Sequence, residues 1–127
     1  MQQIKSIANY LEQTGVSAIG QDLFIYYSPP EANNCTILFP SADPPVIDPD
    51  TPGYFKGKFQ TIVRNTRHDL GMDQCIILSN TLTLIDTDLD DIYVKMCRPM
   101  YQPRVFRRAE SGFIEFSVTY DIRFIVK

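Results

Sequence analysis

The last fifteen residues, Phe113 to Lys127, alternate in polarity without a break. Ile114, Phe116, Val118, Tyr120, Ile122, Phe124 and Val126 fall on one side of an extended chain, and Glu115, Ser117, Thr119, Asp121 and Arg123 on the other. Period two over this length predicts a β-strand with one face on a core and the other in water. At about 3.3 Å per residue the strand spans roughly 45 Å, more than twice the usual length. A one-residue slip would expose seven apolar side chains and bury three charged ones, so its pairing is strongly specified. It is expected to be a central strand.

A strand of that length needs a sizeable partner surface, and 127 residues supply one. Residues 1–127 are expected to form one domain that buries about two thirds of its unfolded surface without staples. The apolar fraction of 44% and charged fraction of 21% are those of an ordinary globular domain, not of a disordered chain. With a net charge of −3 the chain has no general attraction to nucleic acid or to an anionic membrane. Met1-Gln-Gln-Ile-Lys5 lacks the features of a signal peptide, and no run of eighteen apolar residues occurs, so neither export nor a membrane span is expected. Cys35, Cys75 and Cys97 are odd in number, far apart and set in apolar surroundings. They read as buried free thiols.

Upstream of the long strand, Ile4, Ile7, Ala8 and Leu11 mark an amphipathic helix of about three turns, stopped by Gly15 at the position of a C-terminal cap. Asp22 to Tyr27, ended by Pro29-Pro30, and Cys35 to Phe39, ended by Pro40, read as short strands. From Pro40 to Gly53 four further prolines and Asp43, Asp48 and Asp50 leave no regular element, and this 40–55 region reads as a long acidic loop. Lys58 to Asn65 alternates as a strand, with Ile62 on its polar side implying cover on both faces. Thr66 or Asp69 could cap a following helix whose stripe is Met72, Cys75, Ile76, Ser79 and Thr83, widened by Leu78, Leu82 and Ile85. Gly71 weakens its first turn by about 1 kcal/mol. Ile92 to Met100 and Arg104 to Arg108 read as strands, but Pro99 and Pro103 demote them to edge or bulged pieces. Glu110-Ser-Gly112 then turns the chain into the long strand, closing an antiparallel hairpin over about 92–126.

Little in the chain can do chemistry. His68, the sole histidine, has no nucleophile near it in sequence and reads as a solvated loop residue. Three scattered cysteines do not make a zinc site. Asp86, Asp88, Asp90 and Asp91 imitate the start of a calcium loop, yet Asp91 stands where a glycine is needed and Cys97 where a bidentate glutamate is needed; the stretch reads as a charged turn after a helix. No catalytic, cofactor or metal site is expected, and no enzyme. The concentrated basic segment is Lys95, Arg98, Arg104, Arg107 and Arg108, interleaved with Tyr101 and Phe106. Arginines and aromatics on strands can stack on single-stranded nucleic acid, but an acidic patch on a neighbouring subunit suits this acidic chain better.

Ile7-Ala8-Asn9-Tyr10-Leu11-Glu12 with Gly15, then Asp22 to Tyr26, Asn34 to Phe39 and the Gln60-to-Arg64 strand occur in an order that resembles the tail-terminator (minor capsid or tail-completion) proteins of long-tailed bacteriophages. The resemblance covers most of the chain and consists of apolar and turn patterns without a chemical motif. It implies an α+β fold, an antiparallel-rich mixed sheet with about two helices on one face. It also implies a ring, typically a hexamer, on the tail tube, which stops tube growth and presents the surface that joins the head. The implied partners are copies of itself, the tail-tube protein and a head-completion or connector protein, with no membrane and no specific nucleic acid. The implied location is the virion, in tail or neck, after assembly in the host cytoplasm. A head-completion protein of the neck, a sheet-based RNA-binding module and a small enzyme with a hidden pocket are the competing readings. A closed ring needs two different patches to meet. Asp43, Asp48, Asp50, Tyr54 and Phe55 on one side and Arg98, Arg104, Arg107 and Arg108 on the other are the expected pair.

Thiol counting on freshly purified, denatured protein is expected to give three free thiols, and millimolar calcium or a chelator is expected to leave the melting temperature unmoved. Fewer thiols, or a rise of several degrees with calcium, would contradict these readings.

Overall fold

The computed structural model describes residues 3–27, 34–108 and 112–127. In chain order its elements are α1 (Ile4–Gln13), β1 (Leu23–Ile25), β2 (Cys35–Pro40), β3 (Val46–Ile47), β4 (Tyr54–Asn65), α2 (His68–Thr81), β5 (Leu84–Leu89), β6 (Ile92–Pro99), β7 (Arg104–Arg108) and β8 (Phe113–Val126). They build an α+β fold around one sheet of order β1-β2-β4-β8-β6-β5, with β3 also on β4 and β7 also on β8. Every pairing between strands is antiparallel except β1 with β2. The Pro29-Pro30 stop and the Glu110-Ser111 turn expected from the sequence lie outside the described residues.

The long C-terminal strand is central, as its alternation requires. β4 pairs with it without interruption from Tyr54↔Ile125 to Asn65↔Ile114. Directly opposed residues share a face, so Phe59 meets Tyr120 with rings stacked at 5.0 Å, and Phe55 meets Phe124 at 5.4 Å. Such aromatic pairs contribute about 0.5–1.5 kcal/mol each beyond their burial. Phe116, Val118, Tyr120, Ile122 and Phe124 are all buried and form one core cluster with Ile4, Ile7, Ala8 and Leu11 of α1 and with Cys75 and Leu78 of α2. Both helices therefore cover the same side of the sheet. At the ends of the stripe Ile114 is half-buried against the core and Val126 is exposed.

The opposite face of β8 is drier than its polar residues suggest. Glu115 and Ser117 are buried, and the Arg64 Nε donates to Glu115 Oε2 at 3.2 Å while its guanidinium lies 4.6 Å from the Phe113 ring centroid. Asp121 and Arg123 keep only partial exposure, and the expectation of a solvated face fails at Glu115, where Arg64 on the adjacent strand carries the matching charge.

Helix α1 ends as its glycine predicts. Gly15 sits at φ 78°, its N–H donates to the Glu12 carbonyl, and the Val16 N–H donates to the Leu11 carbonyl; this reciprocal pair satisfies the last carbonyls of the helix. Helix α2 departs from expectation at both ends. Its N-cap is Arg67, not Thr66 or Asp69, and no side chain caps it; Asp69 instead holds Arg67 in a two-point ion pair at 2.6 and 3.1 Å. Its buried residues are Gly71, Cys75 and Leu78, with Leu82 following, while Ile76 is 49% exposed and Thr83 and Ile85 lie beyond the helix. Gly71 explains the choice of face. A Cβ there would sit 2.1 Å from Phe116 Cε1, so the ring lies against bare helix backbone.

Four further expectations are corrected. The 40–53 region is not free of regular structure, since Val46 and Ile47 pair with Lys56 and Phe55. β4 accordingly starts at Tyr54, not Lys58. Asp86 and Asp88 belong to strand β5, with the charged turn confined to Asp90 and Asp91; the helix ends before Leu82, and the positive φ of Asp86 (47°) and Asp90 (34°) breaks the alternation by which a strand is recognised. β6 is bulged between Val94 and Met96, as a strand with a nearby proline can be, but it is internal, between β8 and β5.

In urea melts Phe116→Ala or Tyr120→Ala is expected to cost about 3–5 kcal/mol. Thr119→Ala is expected to cost about 1 kcal/mol, for its hydrogen bond to Tyr101. Gly71→Ala discriminates more sharply. Helix propensity alone predicts a gain of about 1 kcal/mol, whereas the contact with Phe116 predicts a loss of about 1–3 kcal/mol that disappears in a Phe116→Ala background.

Candidate subunit interface

Two corners of the sheet carry the charged residues singled out from the sequence. At the first corner the chain leaves β2, bulges outward and returns as β3 against β4. Pro45 packs on Gly57, where a Cβ would stand 3.3 Å from the proline ring. The turn that follows is set by its own side chains: the Asp50 N–H donates to Asp48 Oδ1 at 2.9 Å, the Asp48 N–H donates to the Tyr54 carbonyl, and Gly53 takes φ 85°. Asp48 pairs with Lys56 at 3.7 Å, whereas Asp43 and Asp50 make no ion pair among the described residues. A cavity of about 300 Å³ lies under the bulge, lined by Asp43, Pro44, Val46, Lys56, Lys58 and Asp121. Phe55 turns inward onto Phe124, and Tyr54 is half-buried beside it, so these two support the corner rather than form its outer surface.

At the second corner β7 pairs with the start of β8, from Arg104↔Ser117 to Arg108↔Phe113. The loop before it is anchored by Tyr101, whose hydroxyl hydrogen-bonds Thr119 Oγ1 at 2.6 Å and whose ring lies 4.3 Å below the Arg104 guanidinium. Arg107 is exposed and has no ion pair among the described residues. The side chain of Arg108 lies outside the described ones. Arg98 is apart from this group, on β6, 4.0 Å from Asp121. The fold thus does not bring the acidic and basic residues together within one subunit. β3 lies on the free edge of β4 at its Tyr54 end, and β7 on the free edge of β8 at the end paired with Asn65. The two corners are diagonally opposed.

Sequence reasoning from charge noted Phe106 among the arginines but missed that each corner carries an exposed apolar pair. Val46 and Ile47 are 66% and 59% exposed, and Val105 and Phe106 are 37% and 53% exposed. The available signal was the placing of β-branched and aromatic pairs on segments already marked as edges by proline.

Among the described residues the other chemistry-bearing side chains are dispersed. His68 is exposed at the start of α2, edge-on to Phe116 at 5.6 Å. The cysteines are buried and form no disulfide among the described residues. Burial pushes the Cys75 and Cys97 thiols up to about 12, and pushes Cys35 up against the opposing pull of Arg64, so none is a ready nucleophile. Tyr120, whose pKa burial likewise raises to about 12, shares a long 3.4 Å hydrogen bond with Ser79. Among the described residues no group of three or more His, Cys, Asp or Glu comes together, and no helix is long and apolar enough to cross a membrane.

The chain is thus a sheet-based fold with two unlike corners. The family model for the bacteriophage tail terminator protein matches residues 10–124, and the chain belongs to that family. It is a structural protein of a phage particle. Among solved structures it is similar to a chain of the "Virion of native gene transfer agent (GTA) particle", with a TM-score of 0.61 and 14% sequence identity over 98% of this chain and 90% of that one, a likeness that shows the shared fold. No curated protein matches it.

Because Asp43, Asp50 and Arg107 have no ion pairs within the described subunit, Asp43→Asn, Asp50→Asn and Arg107→Gln are each expected to change monomer stability by less than about 0.5 kcal/mol in urea melts. Larger losses would mean that these charges serve folding.

Proposed function

We propose that the chain assembles as a ring, a hexamer by analogy with its family, on the end of the phage tail tube, where it stops tube polymerisation and presents the surface that joins the head. It acts without catalysis or cofactor, as one domain of 127 residues, assembling in the host cytoplasm and remaining in the tail or neck of the virion. Its partners are further copies of itself, the tail-tube protein and a head-completion or connector protein. Family membership supports the tail-end location.

The observation that carries the ring is the diagonal separation of an acidic corner with unpaired Asp43 and Asp50 from a basic corner with Arg104 and Arg107. A closed ring requires a heterologous contact, in which two different patches of each subunit meet. Unlike charges at opposite corners meet that requirement and disfavour the head-to-head contact that would end in a dimer. Arg98, held near Asp121, borders the contact rather than centring it.

The expected outcome is loss of rings in Arg104→Glu with Arg107→Glu, by light scattering or electron microscopy with purified tail tubes, while the monomer stays folded by circular dichroism. Wild-type rings are also expected to weaken with salt. Unchanged assembly of the variant, or a wild type that stays monomeric with tubes present, would overturn the reading.

A further inference from the structure

We infer that neighbouring subunits join by strand addition, the outer edge of β7 in one copy pairing with the outer edge of β3 in the next. The inference rests on the ring reading and adds the mode of contact, main-chain hydrogen bonding between two sheets rather than charge pairing alone.

The sheet has four outer edges, and the chain protects two of them. β1 is bridged by Ile19 beside Leu23. β5 is interrupted at Asp86, whose φ is 47° and where pairing to β6 skips from Ile85↔Met96 to Thr87↔Val94; Lys95 and Lys127 also neutralise Asp86 and Asp88. Bulges, short length and charge are the devices that blunt an edge against unwanted pairing. β3 and β7 are different. Each presents two adjacent exposed apolar residues, Val46-Ile47 and Val105-Phe106, flanked by charges of opposite sign on the two edges. An open edge with exposed apolar side chains is a template for another strand.

The senses also agree. β3 runs antiparallel to β4, β4 to β8 and β8 to β7, so β3 and β7 run antiparallel to each other. A copy displaced along the sheet keeps its sense and brings its β7 antiparallel to β3, the slightly more stable pairing. Setting Val105 opposite Ile47 and Phe106 opposite Val46 places Arg104 opposite Asp48 and Arg107 opposite Pro45, within reach of Asp43. The cavity of about 300 Å³ beside Asp43, Pro44 and Val46 offers room for the Arg107 side chain. The two edges lie about eight residues apart along the β4–β8 pair, roughly 26 Å. For the ring to close, the combined lateral and lengthwise displacement between copies must lie in the ring plane, so the strands are inclined to the ring axis.

Amide hydrogen exchange on free subunits and on rings assembled at purified tail tubes tests this. Exchange at Val46–Ile47 and at Arg104–Arg108 is expected to slow at least tenfold in the ring. Ile47→Cys with Val105→Cys is expected to give a ladder of disulfide-linked subunits on mild oxidation of the rings, and neither single variant is. Rings whose two edges exchange as in the free subunit, or rings of the double variant that give no ladder, would overturn the strand addition and leave the ring reading standing. Absence of rings on the tubes would remove both.

Discussion

The uninterrupted pairing of β4 with β8 is the constraint on which the rest of the molecule depends. Twelve residues of β4 meet β8 in a single register, and each step sets the face of the next. A slip of one residue would move Phe59, Val63, Phe116 and Tyr120 away from the helices together. Cross-strand pairs contribute only about 0.2–1 kcal/mol each, but along this length they act as one cooperative unit. The strands that flank this pair are shorter and share its two free edges. β2 and β3 divide the free edge of β4, and β6 and β7 divide that of β8. The two breaks, at 41–45 and 100–103, are where the acidic and basic corners arise.

The two faces of this spine are finished differently. On one, α1 and α2 bury an aromatic and aliphatic core, and Gly71 lets α2 approach until its backbone meets Phe116. On the other, the buried Arg64–Glu115 pair and the Tyr101–Thr119 hydrogen bond replace hydrophobic cover. Removing one member of a buried ion pair costs about 3–5 kcal/mol, so the polar face also resists register shifts. A rigid spine holds the corners at a fixed separation, which a closed ring needs more than any local affinity.

Much of this was legible in the sequence where period and packing agreed. β8 was readable from its alternation, α1 from its apolar spacing and Gly15, and the fold class from the family pattern. α2 was not. Leu70, Ile76 and Ile77 are apolar and exposed, so composition could not identify the inward face; the glycine that looked like a defect marks it. β5 was hidden because Asp86 bulges and its charges are satisfied by lysines from other strands. β3 was hidden by the surrounding prolines, which interrupt a strand without preventing two residues from pairing. The charged segments were visible in the sequence, but it could not say that they stand on opposite corners, because that depends on which edge each segment joins. The apolar pairs beside them were passed over for the same reason.

In the proposed ring, the separated corners let each copy add the next in one sense until the ring closes. On that proposal the function rests on where the two corners stand. The most direct test is a charge swap between subunits. One variant carries Asp43→Lys and Asp50→Lys, and the other Arg104→Glu and Arg107→Glu. Native mass spectrometry or electron microscopy with tail tubes is expected to find neither variant alone in rings, and mixed rings of alternating variants when they are combined. Rings from either variant alone, or a mixture that never assembles under conditions in which the wild type does, would contradict the account.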